Sequence, residues 1–95
     1  MKIPKTVKIG GIIYSVQEVD RLTFGDSATA EINYRKSTIE IAKDISEQRK
    51  HRDFLHEVMH AIYDNLGYSE HNEKQIDELA GALYQFVVDN SEVFK

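Results

Sequence analysis

The sequence predicts an α+β fold, in which a small N-terminal antiparallel β-sheet of three or four strands is followed by two packed α-helices. Two observations support this order. Apolar and polar residues alternate over Thr38–Ile41, which is typical of a strand with one buried face. After residue 44 the apolar residues recur every three or four positions, which is the period of an amphipathic helix. The 95 residues allow a single domain, with the sheet in residues 1–43, the first helix in 44–67 and the second in 73–89.

Turn-forming residues separate the expected strands. Gly10-Gly11 lies between the β-rich runs Thr6–Ile9 and Ile12–Val16, and a Gly-Gly pair in this position predicts a hairpin. Gly25-Asp26-Ser27 predicts a further turn. The second strand pair is expected at residues 28–34 and 38–41.

Each helix has recognisable signals at its ends and an apolar stripe along one face. Asp44 followed by Glu47 fits a capping box at the start of the first helix, and Gly67 suits its C-terminus. An apolar stripe at helical spacing predicts the face that packs in the core. The expected stripes are Leu55, Met59, Ile62 and Leu66 in the first helix, and Ile76, Leu79, Ala80, Leu83, Phe86 and Val87 in the second.

Composition argues against several classes of partner. The formal net charge is −4, and the short basic run Arg49–Arg52, interpreted as a solvated helix face, is no nucleic-acid footprint. The chain has no cysteine, which excludes disulfides and thiolate metal sites. No apolar stretch approaches the roughly 20 residues of a membrane span, and no signal peptide is visible. We therefore expect a cytoplasmic protein that binds neither nucleic acid nor membrane.

The most informative motif is His56-Glu57-Val58-Met59-His60, which reads H-E-x-x-H on a segment expected to be helical. Histidines four residues apart project from one helix face and can bind one Zn²⁺. His56 and His60 lie at the edge of the apolar stripe, where a side chain is held by the core and still reaches a cleft. Glu57 faces the same cleft and is the candidate general base for a metal-activated water. The motif therefore predicts a hydrolytic zinc centre.

A catalytic zinc site usually has three protein ligands, so one more must come from elsewhere in the chain. Asp77 is the favoured candidate because it lies at the edge of the second helix's apolar stripe. Glu78 points closer to the opposite side of that helix, and His71 lies in the connecting loop; both remain alternatives. An ordinary solvent-facing acid is the competing interpretation of Asp77.

Further polar side chains have candidate supporting roles. Asp64 follows His60 by one helical turn and could accept a proton from the outer nitrogen of a ligand histidine, although a plain surface acid is an equal interpretation. Peptide hydrolysis also needs a donor to the developing oxyanion. Tyr63, Tyr84 or His71 could supply it, and the sequence does not choose among them.

The chain resembles the ImmA/IrrE-type zinc metallopeptidases, which are gluzincin-like H-E-x-x-H enzymes, and is most similar to the short versions encoded by phages and prophages. Residues 54–62 match the zinc helix of that family, residues 77–83 resemble its E-x-x-A-N segment, and residues 5–11 resemble its hairpin. The resemblance implies a minimal zincin-like domain with Asp77 in place of the ligand glutamate. Gly81 then stands where the family has asparagine.

Two functional hypotheses follow. The first is a zinc metalloendopeptidase that cleaves a protein substrate, which the resemblance suggests is a phage or host regulator such as a transcriptional repressor. The second is a non-catalytic, zinc-stabilised protein-binding module of phage origin. Glu57 discriminates between them, because hydrolysis needs this carboxylate and a structural zinc site does not.

Overall fold

The computed structural model describes residues 2–23, 25 and 28–94, and it confirms the α+β order of a sheet followed by two helices. The predicted turn at Gly25-Asp26-Ser27 falls mostly outside these residues. Neither helix of the described part of the chain is long and apolar enough to cross a membrane. The elements are β1 (Thr6–Ile9), β2 (Ile12–Val19), β3 (Ala30–Asn33), β4 (Thr38–Ala42), α1 (Glu47–Asn65), α2 (Glu73–Asp89) and a 3₁₀ helix at Ser91–Phe94.

The four strands form one mixed sheet in the order β1-β2-β4-β3. The hairpin between β1 and β2 is confirmed, and both of its turn residues have positive φ (58° at Gly10 and 85° at Gly11), which glycine adopts most easily. The sheet is only partly antiparallel, since β2 and β4 pair in parallel. Strands β3 and β4 form an antiparallel hairpin in which β4 lies inside the sheet and β3 lies at its edge. Strand β4 therefore lies next to β2 and runs in the same direction.

Helix α1 covers one face of this sheet and forms most of the core with it. Ile39 and Ile41 of the central strand β4 are fully buried, and Phe54 and Leu55 of α1 belong to the same cluster. Asp53 of α1 accepts hydrogen bonds from the Thr29 hydroxyl and from Arg49 Nε, the latter at 3.0 Å. The hydrogen bond from Thr29, the residue before β3, links this strand to α1. The link is relevant to function because β3 borders the site described below.

Helix α2 packs on α1 through a narrow line of residues. Ile76 and Ala80 are completely buried, but Leu79, Leu83 and Phe86 are 45%, 36% and 50% exposed. The expectation that the whole apolar stripe of α2 lies in the core was therefore wrong. Leu66, expected in the core stripe of α1, is also exposed. The reason is architectural: α2 contacts α1 and not the sheet, so only one edge of its apolar face finds a partner.

Two sequence expectations about α1 also need correction. Its N-cap is Ser46, whose hydroxyl accepts a hydrogen bond from Arg49 N at 3.1 Å, and not Asp44. The basic run is not simply a solvated face. Lys50 is buried and pairs with Glu18 at 2.8 Å, and Arg52 pairs with Asp77 of α2 at 3.2 Å.

The buried centre of the sheet predicts a clear difference between two isoleucines. Ile39→Ala should lower the free energy of unfolding by about 2 to 5 kcal/mol, because it empties a site with no exposed surface. Ile13→Ala is the matched control, since Ile13 is 63% exposed on the same sheet, and should change stability by about 0.5 kcal/mol or less. Urea denaturation of both variants measures the difference. Equal losses would contradict the assigned core.

Candidate metal centre

The first part of the site is a pair of imidazoles on one turn of α1. His56 and His60 have ring centroids 5.0 Å apart, as expected for residues separated by four positions on a helix. His60 is 9% exposed, so its ring is held firmly by its surroundings. The predicted pair is therefore present, with both Nε2 atoms facing the first turn of α2.

Glu73 supplies the carboxylate that completes this pair. Its Oε2 lies 3.3 Å from His56 Nε2, and its Oε1 lies 3.1 Å from His60 Nε2. Among the described residues, His56, His60 and Glu73 form the group of side chains that could hold a metal ion, with ligand atoms within 4.8 Å of one another. The position of Glu73 follows from the start of α2, because the Asn72 side chain caps the helix by accepting a hydrogen bond from Gln75 N at 3.0 Å.

Sequence reasoning missed Glu73, although a signal was available. Glu73 precedes Asp77 by one helical turn, so the two acids lie on almost the same face of α2. A helical wheel therefore selects this face without choosing between them. The choice depends on which turn of α2 lies opposite the histidine pair. A helical wheel shows rotation about the helix axis and gives no position along it.

The favoured candidate Asp77 lies beside the group and not in it. Its Oδ1 is 3.5 Å from the outer nitrogen of His56, Nδ1, and its Oδ2 accepts a hydrogen bond from Arg52 Nη2 at 3.2 Å. The alternative Glu78 is exposed and is likewise outside the group. Asp77 is thus positioned to orient the ring of His56, and its carboxylate is not part of the group formed by the two Nε2 atoms and Glu73.

The alternative ligand His71 also contacts an outer imidazole nitrogen. Its Nδ1 lies 2.8 Å from His60 Nδ1, its Nε2 lies 3.0 Å from the carbonyl oxygen of Tyr68, and its ring stacks on that of His60. The outer nitrogen of His60 is therefore in contact with His71, the place that sequence reasoning assigned to Asp64. Asp64 is exposed and lines the open cleft that also contains the histidine pair.

Glu57 is buried next to the histidine pair, with 7% of its surface exposed. Burial raises the pKa of its carboxyl group to about 7, and the negative charges of Glu73, Asp53 and Glu31 act in the same direction. A carboxyl group with a pKa near neutrality is well matched to proton transfer at physiological pH. The predicted catalytic residue is therefore in a suitable environment for a general base.

An open cleft of about 590 Å³ brings these side chains together with the edge strand β3. Tyr34, which directly follows β3, lines this cleft and was not predicted. Burial, followed by the charges of Asp64 and Glu57, raises the pKa of its hydroxyl to about 12, so it remains a hydrogen-bond donor. Of the tyrosines that were predicted, Tyr63 packs its ring against His71, and Tyr84 lines a different cleft with Gly81.

The chemistry and spacing of the donor set fit zinc. Two imidazoles and one carboxylate are the donors of many catalytic zinc sites. With zinc–ligand distances near 2.1 Å and a tetrahedral geometry, neighbouring donor atoms lie roughly 3.4 Å apart. Glu73 Oε2 lies 3.3 Å from His56 Nε2, Glu73 Oε1 lies 3.1 Å from His60 Nε2, and the candidate ligand atoms all lie within 4.8 Å of one another. The donor types and their approximate spacing therefore fit Zn²⁺.

The buried carboxyl group of Glu57 predicts a pH-dependent stability in the zinc-free protein. Its pKa is about 7 in the folded state against the ordinary glutamate value of 4.5, so the folded state retains the proton more tightly. Stability should therefore fall as the pH rises from about 4.5 to 7, by about 3 kcal/mol through this group. Glu57→Gln removes this effect, so the variant should gain stability relative to the parent over that range. A constant difference between the two proteins in denaturation at pH 4.5 to 8 would contradict the assignment.

The site thus consists of two imidazole donors, one carboxylate donor and a buried carboxyl group beside them, all facing one open cleft. Comparison of the chain with known proteins adds no assignment to this description. No protein-family model, no curated protein and no solved structure matches it.

Proposed function

We propose that this protein is a zinc-dependent metallopeptidase that hydrolyses a peptide bond in a protein substrate. The observation that carries the proposal is the convergence of His56 Nε2, His60 Nε2 and the Glu73 carboxylate beside the buried carboxyl group of Glu57. The three donors leave a fourth position for water or substrate, as catalytic zinc sites do. A purely structural zinc site has no need of Glu57, whose burial works against folding once it ionises.

Bound Zn²⁺ would supply a Lewis acid that makes an adjacent water acidic near neutral pH and polarises a carbonyl group. Glu57 then accepts the proton of the attacking water and delivers it to the leaving amine. Its burial keeps bulk water away from the carboxylate, and in the metal-free protein burial raises the pKa of this group to about 7. Tyr34, which stays protonated at the cleft wall, donates a hydrogen bond to the oxygen on which negative charge develops.

The edge strand β3 suggests how a substrate is held. Ala42 N donates a hydrogen bond to Thr29 O, so Thr29 is a hydrogen-bonded position of the antiparallel ladder between β3 and β4. Such positions alternate along a strand, so the backbone groups of Glu31 point towards β4. The backbone groups of Ala30 and Ile32 point away from β4, to the outer edge of the sheet. Ala30 and Ile32 also line the cleft that contains the histidines. An extended peptide that pairs with this outer edge would pass directly across the site.

The substrate class is therefore an extended segment of a protein. The similarity to ImmA/IrrE-type enzymes makes a helix-turn-helix repressor of phage or host origin the first substrate to test. The alternative is a non-catalytic zinc-stabilised binding module. In that case the protein would bind such a partner and zinc but release no fragments.

Zinc binding tests the ligand set. The purified protein should hold one Zn²⁺, and His60→Ala and Glu73→Gln should each lose it or bind it at least 100-fold more weakly, because each removes a direct donor. Asp77→Asn is the matched comparison one helical turn from Glu73, and should weaken binding by only about 10-fold, because Asp77 contacts the outer nitrogen of His56 at 3.5 Å and is not a direct donor. Isothermal titration with Zn²⁺ gives all four affinities. Loss of zinc in Asp77→Asn with normal binding in Glu73→Gln would transfer the ligand role to Asp77.

Cleavage of a proteome-derived peptide library, read as new termini by mass spectrometry, tests the reaction. Glu57→Gln should keep zinc and abolish cleavage, because the proton acceptor is gone. Tyr34→Phe should keep zinc and lower kcat by about 10- to 1000-fold, as expected for a lost oxyanion donor. If Glu57→Gln cleaves as well as the parent, the mechanism is wrong, and if the parent holds zinc without cleaving any peptide, the binding-module alternative gains support.

The same assay tests the edge strand. Methylation of single backbone nitrogens in a cleaved peptide should slow cleavage at alternate positions only, since every second residue of a paired strand bonds to its neighbour. A uniform effect along the peptide would argue against pairing with β3.

A further inference from the structure

We propose that His71 is a positioning residue that fixes the tautomer of His60, so that His60 Nε2 is the atom presented to the metal. This inference deepens the proposed function and rests on it for the role of the metal. The tautomer itself is a property of the metal-free protein. Two consecutive hydrogen bonds determine the tautomer of His60. The first joins a backbone carbonyl to His71, and the second joins His71 to His60.

The first hydrogen bond lies in the loop between the helices. His71 Nε2 lies 3.0 Å from the carbonyl oxygen of Tyr68, and a carbonyl oxygen only accepts hydrogen bonds. His71 Nε2 must therefore carry the hydrogen. A neutral imidazole has a single N–H, so His71 Nδ1 is left as an acceptor.

The second hydrogen bond determines which nitrogen of His60 carries the hydrogen. His60 Nδ1 lies 2.8 Å from His71 Nδ1, so it donates its hydrogen to that acceptor. His60 Nε2 then carries no hydrogen when the ring is neutral. The same bond uses the Nδ1 lone pair of His71, while Nε2 of that ring is already the donor to Tyr68. His71 therefore has no free nitrogen with which to bind the metal.

This tautomer leaves two acceptors facing each other. The lone pair of His60 Nε2 is 3.1 Å from Glu73 Oε1, and neither atom has a hydrogen to share. Two such atoms at this distance repel each other unless a proton or a metal ion lies between them. A divalent metal ion removes the repulsion, so the hydrogen bond from His60 to His71 prepares the site for its ion.

The loop that contains His71 is itself well ordered by contacts. The His71 ring stacks on His60 with centroids 5.0 Å apart, and the Tyr63 ring meets it edge-on at 5.6 Å. The next residue, Asn72, caps α2 and so sets the position of Glu73. One short loop therefore orients one ligand and places another. His56 has a similar arrangement through Asp77, at a longer distance of 3.5 Å.

The first test reads the tautomers without metal or activity. Long-range ¹H–¹⁵N spectra of the zinc-free protein at about pH 8.5, two units above the ordinary imidazole pKa, should show hydrogen on Nδ1 of His60 and on Nε2 of His71. The opposite pattern at His60 would overturn the proposal. Because no zinc is present, this result stands even if the proposed peptidase function fails.

The second test separates hydrogen bonding from simple packing. His71→Leu removes the acceptor and should weaken Zn²⁺ binding by about 10- to 100-fold, whereas His71→Asn keeps an acceptor oxygen near the Nδ1 position and should restore most of the affinity. The visible spectrum of the Co²⁺-substituted protein should change in His71→Leu and resemble the parent in His71→Asn. Unchanged affinity in His71→Leu, or equal weakening in both variants, would overturn the proposal. If His71→Leu fails to fold, the spectra of the parent protein still decide the tautomer.

Discussion

The structure of the site depends on the contact between α1 and α2, because this contact and the start of α2 together decide which acid meets the histidine pair. The pair itself is a local feature of α1, set by the four-residue spacing. The acid is not local. Ile76 and Ala80 are buried completely against α1 and fix the rotation of α2, and Asn72 fixes where the helix begins. Glu73 is the residue that this combination places opposite the histidines.

The same contact concentrates negative charge in a small volume. Burial raises the pKa of Glu57, and the negative charge of Glu73, followed by those of Asp53 and Glu31, adds to the effect. Arg49 pairs with Asp53, and Arg52 pairs with Asp77. In a domain that buries a modest core, a bound divalent cation would contribute both to folding and to the proposed chemistry.

Local patterns in the sequence predicted the features that depend on local geometry. The α+β order, the Gly10-Gly11 hairpin and the pairing of His56 with His60 all follow from chain periodicity or turn chemistry. The parallel pairing of β2 with β4 did not, because it joins segments separated by a whole strand and its connections. The exposed outer face of α2 was also missed, since an apolar stripe does not say how much partner surface the rest of the fold provides.

The structure places the ligand candidates Asp77 and His71 beside the histidine pair, and it places Glu73 next to both Nε2 atoms. Helical wheels correctly selected the face of α2 that carries Asp77, and the loop histidine His71 was correctly placed near the site. Both side chains reach the outer Nδ1 atoms of the imidazoles, whereas Glu73 reaches the Nε2 atoms. For Asp77, the difference from Glu73 is a translation of one helical turn along α2. Such a displacement depends on the length and capping of the connecting loop, which residue spacing alone does not determine.

His56, His60, Glu73 and the residues that contact the outer imidazole nitrogens lie within residues 56–77, a helix–loop–helix segment. An ion held by His56, His60 and Glu73 would cross-link the middle of α1 to the first turn of α2. It would therefore oppose separation of the two helices, much as a covalent link that closes a loop does.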